Sequence, residues 1–131
     1  MKTLIVEDDF IARRKLEELF SPLGECDFAT DGDEAVNAFR VAHDGKCPYD
    51  LICMDIMMPP LDGSTLLEDI RDIERELGVA CAHEVRVIMT TALEDPKNLV
   101  DALYRGGAIS YLVKPLNRQK LLKEIRRHGL M

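Results

Sequence analysis

Five times along this chain a short run of β-favouring apolar residues stops at a polar residue and a helical period follows. The runs are Leu4-Ile5-Val6, Cys26-Asp27-Phe28-Ala29, Leu51-Ile52-Cys53-Met54, Val85 with Val87-Ile88-Met89, and Ile109 to Val113. Consecutive strands separated by whole helices lie parallel, because the helix is the crossover that carries the chain back to the other end of the sheet. The third run is apolar without interruption, as befits a strand covered on both faces. Strict alternation predicts an α/β fold, a doubly wound five-stranded parallel sheet with helices on both sides.

The helical periods carry their own punctuation. Ile11, Leu16, Leu19, Phe20 and Leu23 recur at helical spacing, and Pro22 and Gly24 mark the exit. Asp31 followed by Glu34 reads as a cap close to a capping box, ahead of an apolar stripe at Ala35, Val36, Phe39 and Ala42. Leu61, Leu66, Leu67, Ile70, Ile73 and Leu77 predict a long third helix. Asp95-Pro96 opens a fourth, packed by Leu99, Val100, Ala102 and Leu103 and stopped at Gly106-Gly107. Asn117 caps a last one, with Leu121, Leu122 and Ile125 inward. At 131 residues, with no repeat or linker, the expectation is one domain over residues 1–131.

Charge and sulfur narrow the function classes. A net charge of −7 argues against a chain that itself grips nucleic acid. The cations near the C-terminus (Arg118, Lys120, Lys123, Arg126, Arg127) read as the solvated face of a helix, with a docking surface for an acidic partner as the sharper alternative. No Cys-x-x-Cys pair exists among Cys26, Cys47, Cys53 and Cys81, so neither zinc nor disulfides are expected; Cys26 and Cys53 should be buried. His43, His83 and His128 are expected at the surface. No apolar run approaches a membrane span, and the acids Glu7-Asp8-Asp9 interrupt anything resembling a secretory leader, so the expected location is cytoplasmic.

In open parallel sheets, ligands bind outside the carboxyl ends of the strands. Those ends carry Glu7-Asp8, Asp55, Thr91 and Lys114. Unit charges about 4 Å apart repel by roughly 4 kcal/mol at an effective dielectric of about 20, so gathered carboxylates call for a cation. Oxygen donors suit Mg²⁺. Aspartate can also act as a nucleophile toward phosphorus, and phosphoryl transfer depends mainly on positioning and charge neutralisation. Phosphoryl acceptance is thereby permitted by the residues, though not proved by them.

The motifs Leu4-Ile5-Val6-Glu7-Asp8-Asp9, Asp55-Ile56-Met57-Met58-Pro59-Pro60-Leu61-Asp62-Gly63, Thr91-Ala92 and Tyr111-Leu112-Val113-Lys114-Pro115 together resemble the receiver domain of two-component response regulators, particularly the single-domain chemotaxis type. The resemblance covers about residues 2 to 128. It implies a flavodoxin-like (βα)5 fold with the family's strand order 2-1-3-4-5. It implies Asp55 as phosphoacceptor and Mg²⁺ as cofactor, contacted by Asp8, Asp55 and the backbone carbonyl of Met57, with Glu7 acting mainly through water. Setting Arg13 and Arg14 against the family's first helix makes Glu7-Asp8 the functional pair and Asp9 a helix cap. Lys114 would bridge to the phosphoryl group, ahead of a cis bond to Pro115. Thr91 and Tyr111 would be the switch, and Gly63 would serve the turn into the third helix. Met57 and Leu93 occupy the family's two rate-tuning positions; neither holds water, which implies slow self-dephosphorylation.

The implied function is a phosphoacceptor in a phosphorelay, assisting its own phosphorylation and dephosphorylation but not an enzyme. The implied partners are a histidine kinase or phosphotransfer protein and a downstream protein at the face of the fourth helix, fifth strand and fifth helix. Neither nucleic acid nor membrane is expected as a partner, and the expected state is a monomer or weak dimer. Two rivals fit less well. A Mg²⁺ phosphohydrolase with an aspartate nucleophile wants a second acid where Met57 stands, and a receiver that docks without phosphorylation would have lost Asp55, the acidic pair or Lys114. Dinucleotide binding lacks its Gly-x-Gly-x-x-Gly after the first strand.

Overall fold

The computed structural model describes residues 1–55, 57–58, 61–80, 83–91, 110–113, 116–127 and 129–130. Five strands form one sheet: β1 (Thr3–Val6), β2 (Cys26–Ala29), β3 (Leu51–Asp55), β4 (Arg86–Thr91) and β5 (Ser110–Val113). Their order is β2-β1-β3-β4-β5, and every neighbouring pair is parallel. This is the expected flavodoxin-like arrangement. Four α-helices are described: α1 (Phe10–Phe20), α2 (Gly32–Asp44), α3 (Gly63–Glu76) and α4 (Arg118–Arg127). The helix expected after Asp95-Pro96 lies outside the described residues.

The apolar runs of β1 and β3 are wholly buried, which explains why they are unbroken. Leu4, Ile5, Val6, Leu51, Ile52, Cys53 and Met54 expose nothing to solvent. Alternate side chains along these strands feed two cores. One face packs Leu4, Val6, Ile52 and Met54 with Phe39 of α2 and Leu66, Leu67 and Ile70 of α3. The other packs Ile5, Leu51, Cys53 and Ile88 with Leu16 and Phe20 of α1 and Leu121 and Ile125 of α4. Each core closes one side of the sheet, leaving its ends as the places where polar groups can collect.

The edge strand β2 departs from expectation. Cys26 is only partly buried, and Phe28 is 38% exposed, because β2 has a neighbour on one side only. Cys53 is buried as expected; Cys81 is outside the described residues. Ile11, placed by periodicity on the inner stripe of α1, faces outward at 65% exposure. Leu61 precedes α3, in a two-residue antiparallel ladder that pairs Met57 with Asp62 and Met58 with Leu61, and Leu77 lies exposed just beyond the helix. His43 is partly buried, its ring edge-on to Phe39 with centroids 4.8 Å apart; His83 is exposed, and His128 lies outside the described residues.

Two caps match the sequence reading. Asp31 accepts from the Glu34 backbone N–H at 2.8 Å, and Asn117 accepts from that of Lys120 at 2.8 Å. The Glu34 carboxylate reaches one residue further back than a capping box requires, accepting from the backbone N–H and hydroxyl of Thr30 at 3.2 and 2.7 Å.

Candidate functional site

β1 and β3 run side by side in register, with Val6 opposite Met54. Glu7 and Asp55 therefore emerge at the same height from neighbouring buried strands. The Glu7 backbone N–H donates to the Ala29 carbonyl at 3.0 Å, extending the ladder one residue past β1. On its other side the Glu7 carbonyl accepts from the Arg13 guanidinium at 3.5 Å, and that guanidinium lies 5.4 Å from the centre of the Phe10 ring. The acidic turn is thus tied to the sheet behind it and to α1 in front of it.

Glu7, Asp8 and Asp55 each offer a carboxylate oxygen, and the three oxygens lie within 4.8 Å of one another. Glu7 is 1% exposed and Asp55 is partly buried, while Asp8 is exposed, so the group opens to solvent on one side. Asp9 is not part of it. Its carboxylate accepts from the Ile11 backbone N–H at 3.1 Å and caps α1. The chain's three consecutive acids therefore split two and one, with the site taking Glu7 and Asp8.

Like charges at this spacing repel, and an all-oxygen, partly open donor set is consistent with a site for a hard divalent ion. Met57, two residues after Asp55, pairs with Asp62 in the short ladder. On the far side of β3, Asp55 pairs with Thr90, whose buried hydroxyl lies 3.4 Å from the Met54 carbonyl oxygen and donates to it. Thr91 ends β4 opposite Val113, the last residue of β5. Sequence thus puts Lys114 directly after Thr91's partner, although Lys114, Pro115 and Leu93, like the side chains of Met57 and Thr91, lie outside what is described. Tyr111 on β5 is 43% exposed.

Sequence reasoning missed two polar clusters, both away from this site. Glu74 of α3 is 1% exposed; its carboxylate lies 2.6 Å from the Arg71 guanidinium and accepts from the Val85 backbone N–H at 2.7 Å, while Arg71 also donates to the Val85 carbonyl at 2.9 Å. Tyr49 is buried, and its hydroxyl donates to Asp27 at 2.7 Å. Burial, and next the hydrogen bond to Asp27, push the Tyr49 hydroxyl pKa well above its ordinary value.

Comparison with known proteins defines the class. The sequence matches the response regulator receiver domain family over residues 3–126, and the chain belongs to that family. Over 126 residues it is 31% identical to the chemotaxis protein CheY of Treponema pallidum, covering 95% of this chain and 79% of that one. The fold is similar to the receiver domain of Ssk1 from Saccharomyces cerevisiae, solved with the histidine phosphotransfer protein Ypd1, with a TM-score of 0.82, 30% identity and coverage of 100% and 90% of the two chains. It is also similar to a Borrelia burgdorferi structure of a CheX-CheY-BeF3-Mg complex, with a TM-score of 0.79, 32% identity and coverage of 98% and 88%. The chain spans just under half of the ycf27 protein of Cyanophora paradoxa, a probable transcriptional regulator, at 34% identity and 95% coverage of this chain. The receiver class is a class of phosphoacceptors in two-component phosphorelays rather than of enzymes, and this chain has that function.

Proposed function

We propose that Asp55 is the residue that accepts the phosphoryl group, and that a Mg²⁺ ion held by Asp8, Asp55, the Met57 carbonyl and, mainly through water, Glu7 accompanies it. The convergence of Glu7, Asp8 and Asp55 within 4.8 Å in a receiver-family chain carries this reading. When bound, the ion supplies positive charge to phosphoryl oxygens that become more negative in the transition state. An Asp55 carboxylate oxygen attacks phosphorus in line. The bond from phosphorus to the donor breaks as the new oxygen–phosphorus bond forms, and the donor, a phosphohistidine or a small acyl phosphate, leaves with the electron pair. Lys114 bridges to the transferred group, and the Thr91 hydroxyl donates to one of its oxygens.

The output is a shift of population toward a form in which Thr91 and Tyr111 have moved. The upstream partner is a histidine kinase or a phosphotransfer protein, in keeping with the partner in the Ssk1 crystal. The downstream partner is a protein that meets β5, α4 and the segment before β5. Among the described residues no helix is long and apolar enough to cross a membrane, and we place the protein in the cytoplasm. Apolar Met57 and Leu93 make the phosphorylated form long-lived; Met57→Asn with Leu93→Glu should shorten its lifetime.

The test is BeF₃⁻ with Mg²⁺ added to ¹⁵N-labelled protein. Amide shifts should change at Asp55, Thr91 and Tyr111 only when both ions are present, and Asp55→Asn should abolish them. A response that survives Asp55→Asn would refute the assignment.

A further inference from the structure

Among the described helices the most one-sided in charge is α4. Its ten residues carry five cations, Arg118, Lys120, Lys123, Arg126 and Arg127, and one acid, Glu124, in a chain whose net charge is −7. Leu121 and Ile125 are buried in the core, which turns Lys120, Lys123, Arg126 and Arg127 to the opposite, exposed face. Lys120, Lys123 and Arg127 stand at successive spacings of three and four, so they line one stripe about 10 Å long.

Helix chemistry alone does not account for this stripe. Like charges three and four apart repel, and Arg118 and Lys120 sit in the first turn, where the helix dipole disfavours cations. Only Arg126 and Arg127 are at the end the dipole favours. Within the helix the single available carboxylate, Glu124, lies 3.6 Å from Arg127. Among the described residues no carboxylate pairs with Arg118, Lys120, Lys123 or Arg126.

We propose that the exposed face of α4 docks a short acidic segment of a partner protein. Charge complementarity selects the occupant. An anionic membrane would need several apolar residues beside the cations, but Leu121 and Ile125 are spent on the core and only the partly buried Leu122 is left. A nucleic acid would run its phosphates past the ends of the stripe onto the rest of a strongly acidic chain and be repelled there. A peptide of a few acidic residues matches the stripe's length and stops where it stops. This surface adds a partner chemistry to the phosphorelay reading but does not depend on Asp55, so the test uses unphosphorylated protein and its failure is separable from failure of the Asp55 assignment.

The probe is a blocked hexaglutamate peptide titrated into ¹⁵N-labelled protein, with a dT oligonucleotide and phosphatidylserine vesicles as competitors. Peptide-induced shifts should be confined to residues 118–127, and affinity should fall about tenfold between roughly 50 and 300 mM salt. Lys123→Glu with Arg127→Glu, both on the exposed face, should abolish binding while the circular dichroism spectrum stays unchanged. The proposal is overturned by an absence of shifts in α4, by equal binding to the double variant, or by tighter binding of the oligonucleotide or the vesicles than of the peptide.

Discussion

At the amino end of the sheet the Glu74 carboxylate is buried against the Arg71 guanidinium and the Val85 backbone, and the chain start is stitched down by Lys2. The Lys2 backbone N–H donates to Asp50 at 2.8 Å, its ammonium donates to the Cys47 carbonyl at 2.8 Å, and the same ammonium lies over the Tyr49 ring. At the carboxyl end Glu7, Asp8 and Asp55 bring three like charges within 4.8 Å. One end brings opposite charges together and gains stability; the other brings like charges together and gains a site. Changes at the amino end should therefore lower folding stability and leave Mg²⁺ binding alone, while loss of a carboxylate at the other end should weaken Mg²⁺ binding and raise stability in metal-free buffer.

The largest effect should come from Glu74→Ala, which takes the nearest carboxylate from the nearly buried Arg71 guanidinium, leaving it the Val85 carbonyl and Glu84 at 3.9 Å, and leaves the Val85 N–H without its acceptor. A loss of about 3–5 kcal/mol is expected in urea unfolding, with unchanged Mg²⁺ affinity in the folded fraction. A loss below about 1 kcal/mol, or a parallel loss of Mg²⁺ binding, breaks the contrast. Gly24→Ala comes next, at about 2 kcal/mol. Gly24 has φ +150, and an added Cβ would collide with the Met1 carbonyl oxygen, so the chain start must be displaced. Deleting Met1 in the same background should recover part of that loss.

Asp55→Asn should move stability the other way, raising it by about 1–2 kcal/mol in metal-free buffer as repulsion is relieved, while abolishing the rise in Tm that Mg²⁺ gives the parent chain. A destabilised Asp55→Asn protein would mean that the carboxylate serves the fold. Tyr49→Phe should have the smallest effect, costing about 1 kcal/mol near neutral pH because the Asp27 acceptor is exposed. Its pH signature is specific. The Tyr49 pKa is raised on folding, so its contribution is fully present below the unfolded value of 10.0 and is lost as pH rises above it. The parent should lose stability above pH 10 more steeply than Tyr49→Phe.

What the sequence revealed follows the physics of each signal. Leu4-Ile5-Val6 and Leu51 to Met54 were legible because a strand covered on both faces cannot disguise its apolar run. The parallel order of the acids along those strands then made the carboxyl end legible as a site. The family resemblance, not periodicity, distinguished Asp9 from the Glu7-Asp8 pair, and the Asp9 cap on Ile11 gives that distinction a geometric basis. Arg71 and Glu74 were missed because charged residues at helical spacing look the same whether they face water or each other across a packed helix end. Cys26 and Ile11 were misplaced because pattern reports apolar character and not whether an element has a neighbour on that side. The short ladder at Met57-Met58 and Leu61-Asp62 has too few residues to leave a period at all.

The assignment of Asp55 as phosphoacceptor is tested most directly by the intact mass of the protein after incubation with acetyl phosphate. With Mg²⁺ the parent chain should gain one phosphoryl group, labile to hydroxylamine as an acyl phosphate is, and both Asp55→Asn and Mg²⁺ removal should eliminate the gain. A phosphoryl adduct that persists in Asp55→Asn, or forms equally well without Mg²⁺, would contradict it.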